Sequence, residues 1–280
     1  MWLALALSAA LASAVVLKPV ANMYAKPDAL APVVSQALLG TTVNVIERTE
    51  GWARVETPDR YSGWMPLASL RLVREGDPAY PGSGLVAQVA SLFANLYREP
   101  DVTSHEPLII VAFETRLMVS SEPARSDRVR WFGVTLPDGR HAWIARGDVT
   151  FDPPQLAIAD LPVFARRFLG LPYLWGGTST FGYDCSGFVQ MLYRRAGVPL
   201  PRDAQPQADW PGLVPVDRKD LRPGDLVYFG SSDRHITHTG MWIGGGEFIS
   251  ATVHEHPVVR IDRLDDPHWA PLFVAARRLK

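Results

Sequence analysis

The sequence predicts an α+β chain in which two small β modules precede one larger domain of helices and strands. Three observations carry this reading. A degenerate repeat links two stretches of the first 150 residues. The apolar pattern changes from short β-rich runs to helical spacing beyond Gln155, and the single cysteine, Cys185, opens one of those helical stretches. The 280 residues suffice for two domains of ordinary size, or for more if some are small. A chain that is 20% charged, with nine Trp, eleven Phe and eight Tyr, can build packed cores, which excludes wholesale disorder. Twenty-eight Lys and Arg against 29 Asp and Glu leave a formal charge of −1 and no field to gather polyanions, so nucleic acid is not an expected partner. One cysteine excludes an internal disulfide and a thiolate zinc cage. No metal and no organic cofactor is implied.

The repeat is read residue by residue. Val20 to Asp28 matches Leu92 to Asp101. Trp52-Ala53-Arg54-Val55, Pro58-Asp59 and Trp64 match Trp131-Phe132-Gly133-Val134, Pro137-Asp138 and Trp143 at a constant spacing of 79 positions, from Trp52 to Trp131 and from Trp64 to Trp143. Each copy carries short β-rich runs, Thr42 to Ile46 and Trp52 to Glu56 in the first, Leu108 to Phe113 and Trp131 to Leu136 in the second. Turn residues separate them, and no stretch has sustained helical periodicity. Units of this size with about five short strands point to small barrels. The two modules resemble bacterial SH3-type domains, with Gly63-Trp64 and His141 to Ile144 as closing strands and Gln36 to Gly40 as the turn into a second strand.

The apolar run Trp2 to Leu17, ending in Ala12-Ser13-Ala14, resembles an export signal that lacks a basic start, and it is shorter than the roughly 20 residues a membrane span needs. The expected organisation is therefore a signal at 1–14, barrels at 15–75 and 82–152, and a third domain at 153–280. Export to the periplasm, cell envelope or medium is expected, with no stable membrane anchor after processing. Gly76 to Gly84 and Phe151-Asp152-Pro153-Pro154 are the linkers. Asp160 is placed to cap a helix with Leu161, Phe164, Ala165 and Phe168 on one face, ending at Gly170.

Around Cys185, Val189, Leu192 and Ala196 fall at helical spacing and Gly197 suits the stop. Asp184 is then the N-cap and Cys185 lies in the first turn, where free N–H groups and the helix dipole favour a thiolate. A thiol nucleophile needs a base. His238, in the strand-like His238-Thr239-Gly240-Met241-Trp242-Ile243, is the candidate, whereas His105, His141, His235 and His268 read as surface residues.

Together these segments resemble the NlpC-type cell-wall cysteine peptidases, whose fold is papain-like. The resemblance rests on Asp184-Cys185-Ser186-Gly187-Phe188, His238-Thr239-Gly240, Pro172-Tyr173-Leu174-Trp175-Gly176-Gly177, Pro201-Arg202-Asp203 with Gln207, and Leu221 to Leu226. It implies Cys185 as nucleophile, His238 as base and Tyr173 in the oxyanion hole with the Cys185 backbone N–H. The chain departs from the family at the third polar position, where His is usual and Ser250 stands here. A three-residue loop at Gly244 to Gly246 places Ser250 opposite Gly240 and diagonal to His238, out of reach without a water. His254 or His256, of the same strand parity, are the alternatives.

The two modules ahead of the catalytic domain resemble one subgroup of the family end to end. That resemblance implies cleavage of γ-D-glutamyl-diamino acid bonds in peptidoglycan stem peptides, murein tripeptide or tetrapeptide, with a free N-terminal L-alanine. It further implies that Tyr61 limits substrate length and that Asp184, Asp203 and Ser186 meet the substrate amine. A guanidinium fork suits a carboxylate, so Arg202 is a candidate for the D-glutamate α-carboxylate. The alternatives are an endopeptidase on intact cross-linked murein and a catalytically weak wall-binding protein.

Overall fold

The computed structural model describes residues 12–120 and 130–280. Its chain divides into two compact units. The first holds nearly all of the chain up to Phe151, and the second comprises Asp152–Lys280 together with two short earlier segments, Val33–Gln36 and Ala90–Phe93.

The first unit contains two sheets of seven strands. β1 (Ala12–Val16), β2 (Val20–Tyr24), β3 (Val33–Leu38), β4 (Thr42–Thr49), β5 (Trp52–Glu56), β6 (Ser62–Pro66) and β7 (Leu70–Leu72) form one, in the order β3-β2-β6-β5-β4-β1-β7. β8 (Val86–Val89), β9 (Phe93–Tyr97), β10 (Ile109–Ala112), β11 (Arg116–Val119), β12 (Trp131–Thr135), β13 (His141–Ala145) and β14 (Val149–Thr150) form the other, in the order β10-β9-β13-β12-β11-β8-β14. Each position of the first order corresponds to the same position of the second, so the sequence repeat is a repeat of topology.

The repeated residues make the same contacts in both copies. Tyr24 pairs with Trp64 across strands and meets Trp52 edge-on at 5.4 Å. Tyr97 pairs with Trp143 and meets Trp131 edge-on at 5.7 Å. Aromatic pairs of this geometry add about 0.5–1.5 kcal/mol beyond their buried area. Alternation sets which faces are buried: in β2 Ala21 and Met23 point inward, and in β5 Ala53 and Val55 do.

Two boundaries differ from the sequence expectation. The expected signal at 1–14 overlaps β1, which pairs with both β4 and β7, and Ala14, Val15 and Val16 are core residues. Ala14, the last residue of the expected signal, is thus a buried strand residue; residues 1–11 lie outside the described part. The run Gln36 to Gly40 is also not all turn. Strand β3 continues to Leu38, and the reversal comes at Gly40, whose φ of +79° suits glycine.

The Gly76 to Gly84 linker is anchored at its centre. Tyr80 is buried, its hydroxyl donates to the Thr135 carbonyl at 2.9 Å, and its own carbonyl accepts from Thr42 Oγ1 at 2.9 Å. It thereby ties the two sheets together, and burial pushes its pKa up to about 12. A Cβ at Gly40 would lie 2.6 Å from the Tyr80 ring, so this glycine serves packing as well as the turn.

The second unit is built on a six-stranded sheet. β17 (Leu213–Pro215), β18 (Leu226–Ser232), β19 (His235–Gly244), β20 (Glu247–Thr252), β21 (Val258–Arg263) and β22 (Phe273–Leu279) run in the order β17-β22-β18-β19-β20-β21. Before it come α1 (Leu161–Ala165), a two-stranded ribbon of β15 (Thr178–Ser179) and β16 (Gly182–Tyr183), α2 (Cys185–Arg195) and α3 (Ala204–Ala208). Helix α1 buries Leu161 and Ala165 as expected, but Asp160 makes no side-chain cap; Pro162 in the first turn has no N–H to satisfy. Helix α2 ends where expected, with Gly197 at φ +76°. No helix among the described residues is long and apolar enough to cross a membrane.

Replacing Tyr80 by Ala is expected to destabilise the first unit by about 3–5 kcal/mol, the cost of deleting a buried aromatic ring. Tyr80→Phe should lose about 0.5–1.5 kcal/mol, the net worth of the hydroxyl's hydrogen bond to Thr135. Urea unfolding of the two variants against the parent chain checks both.

Candidate active site

Helix α2 begins on a cap tied to a buried ion pair. Asp184 Oδ1 accepts the Gly187 N–H at 2.7 Å, the expected capping bond. The same carboxylate takes both ends of the Arg202 guanidinium, Nη1 to Oδ1 at 2.9 Å and Nη2 to Oδ2 at 2.5 Å. Arg202 Nη1 also donates to Ser186 Oγ at 2.9 Å, and its Nε donates to Ser35 Oγ at 3.2 Å. The Arg202 side chain is 1% exposed. The expected contact of Arg202 with a substrate carboxylate is therefore not available, because its fork already faces Asp184 and the group is sealed from solvent. Gln207 adds a brace by donating to the carbonyls of Ser186 and Pro201.

The glycines around the cysteine answer to the protein's own backbone. A Cβ at Gly177 would lie 2.3 Å from the Gly182 carbonyl oxygen, and one at Gly187 would lie 2.2 Å from that of Gly177. The ribbon and the first turn of α2 thus pack backbone on backbone, with the Asp184 N–H donating to Gly177 O at 3.1 Å. Tyr173 lies beside them. It is half-buried, its backbone bridges to Tyr183, and burial with the nearby Cys185 and Asp184 charges raises its hydroxyl pKa.

Cys185 is buried, and its sulfur is met by the N–H of Thr239 from β19 and by that of Ser186, the next residue of α2. Thr239 follows His238, so the strand that carries the imidazole is also the one that borders the thiol. His238 Nε2 and Ser250 Oγ stand 3.1 Å apart, a direct hydrogen bond. This overturns the expectation that a water is needed. The turn differs from the expected three-residue loop, since β19 runs to Gly244, which pairs with Glu247 across an irregularity at Ile243; beyond it Met241 pairs with Ile249 and Trp242 with Phe248, which leaves Gly240 opposite Ser250 as expected. A Cβ on Gly240 would lie 2.7 Å from the Phe248 ring and 3.1 Å from Ser250 Cβ. With no side chain there, the imidazole can reach across the diagonal.

The alternatives to Ser250 lie elsewhere. His254 stacks on His268 at 3.8 Å with the planes 5° apart, and His256 is exposed beyond the end of β20. Asp203 is exposed at the start of α3, next to Arg202. Tyr61 belongs to the first unit, in the β5–β6 turn, where Thr57 Oγ1 and the Thr57 N–H both donate to the Tyr61 carbonyl and Thr57 Oγ1 also donates to Asp59. Trp269, which the sequence motifs do not single out, stacks on His238 at 4.8 Å. Among the described residues no group of three or more His, Cys, Asp or Glu side chains is placed to hold a metal ion.

The electrostatics also depart from expectation. A helix start favours a thiolate, yet burial pushes the Cys185 thiol up to about 12, and the Asp184 charge adds to the rise; the two N–H groups and Arg202 oppose it without prevailing. Aromatic packing strips water from His238 and, with His268, lowers its pKa to about 3, although one edge of the residue stays accessible. Both shifts favour the uncharged forms, thiol and neutral imidazole.

A capped thiol, an adjoining imidazole and a hydroxyl behind it define a thiol hydrolase site on a mixed sheet-and-helix domain, and the comparisons agree. Residues 170–278 match the NlpC/P60 family, and residues 23–70 match the bacterial dipeptidyl-peptidase SH3 domain. A curated relative from Bacillus cereus, a gamma-D-glutamyl-L-lysine dipeptidyl-peptidase, is 36% identical over 87% of this chain and 74% of its own. Dipeptidyl-peptidase 6 of Lysinibacillus sphaericus is 28% identical over 93% of this chain and 94% of its own. A crystal structure of an NlpC/P60 family protein from Bacillus cereus superposes with a TM-score of 0.80 at 30% identity, covering 95% of this chain and 99% of that one. The chain belongs to the NlpC/P60 family of cysteine-type peptidases, with an SH3-like domain on its amino-terminal side.

Two outcomes are expected. Alkylation of Cys185 by iodoacetamide should accelerate about tenfold per pH unit from pH 7 to 10, because thiolate accumulates with rising pH towards the raised pKa. A rate that levels off below pH 8 would mark a resting thiolate instead. Arg202→Ala should cost about 3–5 kcal/mol of stability, since it strands the buried Asp184 charge, and thermal melts check it.

Proposed function

We propose that this chain hydrolyses the γ-D-glutamyl-diamino acid bond of peptidoglycan stem peptides whose L-alanine amine is free, with murein tripeptide or tetrapeptide as substrate. The observation that carries the reading is the constellation at the start of α2, with Cys185 against Thr239 and His238 hydrogen-bonded to Ser250. The substrate class is supported by the named activity of the Bacillus cereus relative, which aligns with 87% of this chain.

In the proposed chemistry, Sγ of Cys185 attacks the γ-carbonyl carbon as its proton passes to His238 Nδ1. Nε2 keeps its hydrogen and donates it to Ser250. The charge on the tetrahedral oxygen meets the Tyr173 hydroxyl and the Cys185 backbone N–H. The C–N bond then breaks, and the imidazolium gives its proton to the departing amine of the diamino acid. Water attacks the thioester, loses a proton to His238, and releases the L-Ala-D-Glu carboxylate as the thiol re-forms.

Asp184 retains one acceptor position on Oδ2 beside the Arg202 bond, and this position suits a substrate ammonium, with Ser186 adjacent and Asp203 as a second carboxylate. Tyr61 is assigned to limiting substrate length. The second seven-stranded sheet is proposed to be an SH3-type barrel as well, on its matching strand order and the matching Tyr–Trp contacts. Export is proposed from the apolar start of the chain, with any cleavage falling before β1.

The test is to incubate the protein with L-Ala-γ-D-Glu-L-Lys, its diaminopimelate counterpart and their N-acetyl forms, and to identify products by mass spectrometry. Free peptides should release L-Ala-D-Glu and the acetylated ones should not. Cys185→Ala and His238→Ala should abolish release, and Ser250→Ala should slow it about tenfold or less. Equal cleavage of acetylated peptide or intact sacculi would reject the free-amine requirement, and turnover by Cys185→Ala would reject the mechanism.

A further inference from the structure

Ser250 leaves an orientation problem at His238. A serine hydroxyl is neutral and rotates, so one hydrogen bond at Nε2 fixes a point of the imidazole and leaves the ring free to tilt about it. Burial and the nearby His268 both oppose protonation of the ring.

Trp269 lies across the face of this ring. Its indole is 4.8 Å from the His238 imidazole, centroid to centroid, with 27° between the planes. The indole itself is held on several sides. It is 3% exposed, packs on Phe229 at 4.9 Å and Phe248 at 5.3 Å, and meets His268 edge-on at 4.7 Å. Its backbone N–H donates to the Asp266 carbonyl at 3.0 Å, as does that of Ala270 at 2.8 Å. A ring fixed this firmly can set the plane of one stacked on it. An indole face also carries negative potential, which attracts a cation above it and does so more strongly when water is excluded.

We propose that Trp269 is the positioning residue of the base: it holds the His238 ring plane that Ser250 alone does not fix, and its π-face stabilises the imidazolium formed when His238 takes the Cys185 proton. The assignment rests on reading His238 as the base. The indole touches neither substrate nor sulfur in this account and acts through the imidazole, so its removal slows the chemical step and leaves substrate binding alone.

The experiment is steady-state kinetics of Trp269→Leu, Trp269→Phe, Ser250→Ala and His238→Ala in the full chain, on whichever tripeptide is cleaved faster. Trp269→Leu keeps much of the volume without the π-face and should lower kcat about thirtyfold with KM within about twofold. Trp269→Phe keeps a smaller ring and should lose only about three- to fivefold, again in kcat. Iodoacetamide modification of Cys185 at pH 8 should slow in the same order. A kcat unchanged in Trp269→Leu, or lowered equally in the Leu and Phe variants, would overturn the proposal, as would a loss confined to KM. If thermal melts show that Trp269→Leu does not fold, an unchanged kcat in Trp269→Phe overturns it. Turnover by His238→Ala would reject the base assignment itself; a dead His238→Ala beside a fully active Trp269→Leu would reject only the role of Trp269.

Discussion

The ion pair between Arg202 and Asp184 is the constraint on which the site depends. It is nearly sealed from water, so each charge needs the other: an unpaired carboxylate at this depth would be costly, and a guanidinium more so. Pairing leaves Asp184 fixed, Asp184 caps α2 through Gly187, and the cap fixes where Cys185 meets β19. Ser35, Ser186 and Gln207 attach to the same network. An interaction that resembles a substrate-binding fork in the sequence thus works one layer behind the reacting atoms.

Opposing influences act on the two groups proposed to react, Cys185 and His238. Burial disfavours both thiolate and imidazolium, while the N–H groups aimed at the sulfur and the aromatic face over the imidazole favour them. The balance lies on the side of the neutral groups, with the thiol pKa raised and the imidazole pKa lowered. Gly240 matters here as an absence of side chain: it lets His238 cross to Ser250, which explains in steric terms why a glycine follows the base by two residues.

Most of the architecture was legible in the sequence because it is written in local patterns. The 79-residue spacing of the Trp pairs foretold two units of one topology, and Asp184, Cys185 and Gly197 marked both ends of α2. What escaped was set by tertiary contacts. Ala12 to Val16 suits the end of a signal and a strand alike, and its pairing with β4 and β7 joins it to residues far along the chain. Arg202 carries no mark of its burial. Trp269 lies 31 residues beyond His238 in a segment without periodic signal, and the fold alone stacks the two rings. The direct reach of His238 to Ser250 depended on the bare backbone at Gly240, which an idealised diagonal distance does not register.

The burial of Cys185, which raises its thiol pKa, bears on durability as well as on reactivity. Peroxides and disulfides react with thiolates far faster than with thiols, and access to the sulfur limits them further. A thiol whose pKa is raised by burial spends little time in the readily oxidised thiolate form. For a chain with one cysteine and no neighbouring thiol to reduce it, such chemical quiet between turnovers protects the only sulfur that can do the work.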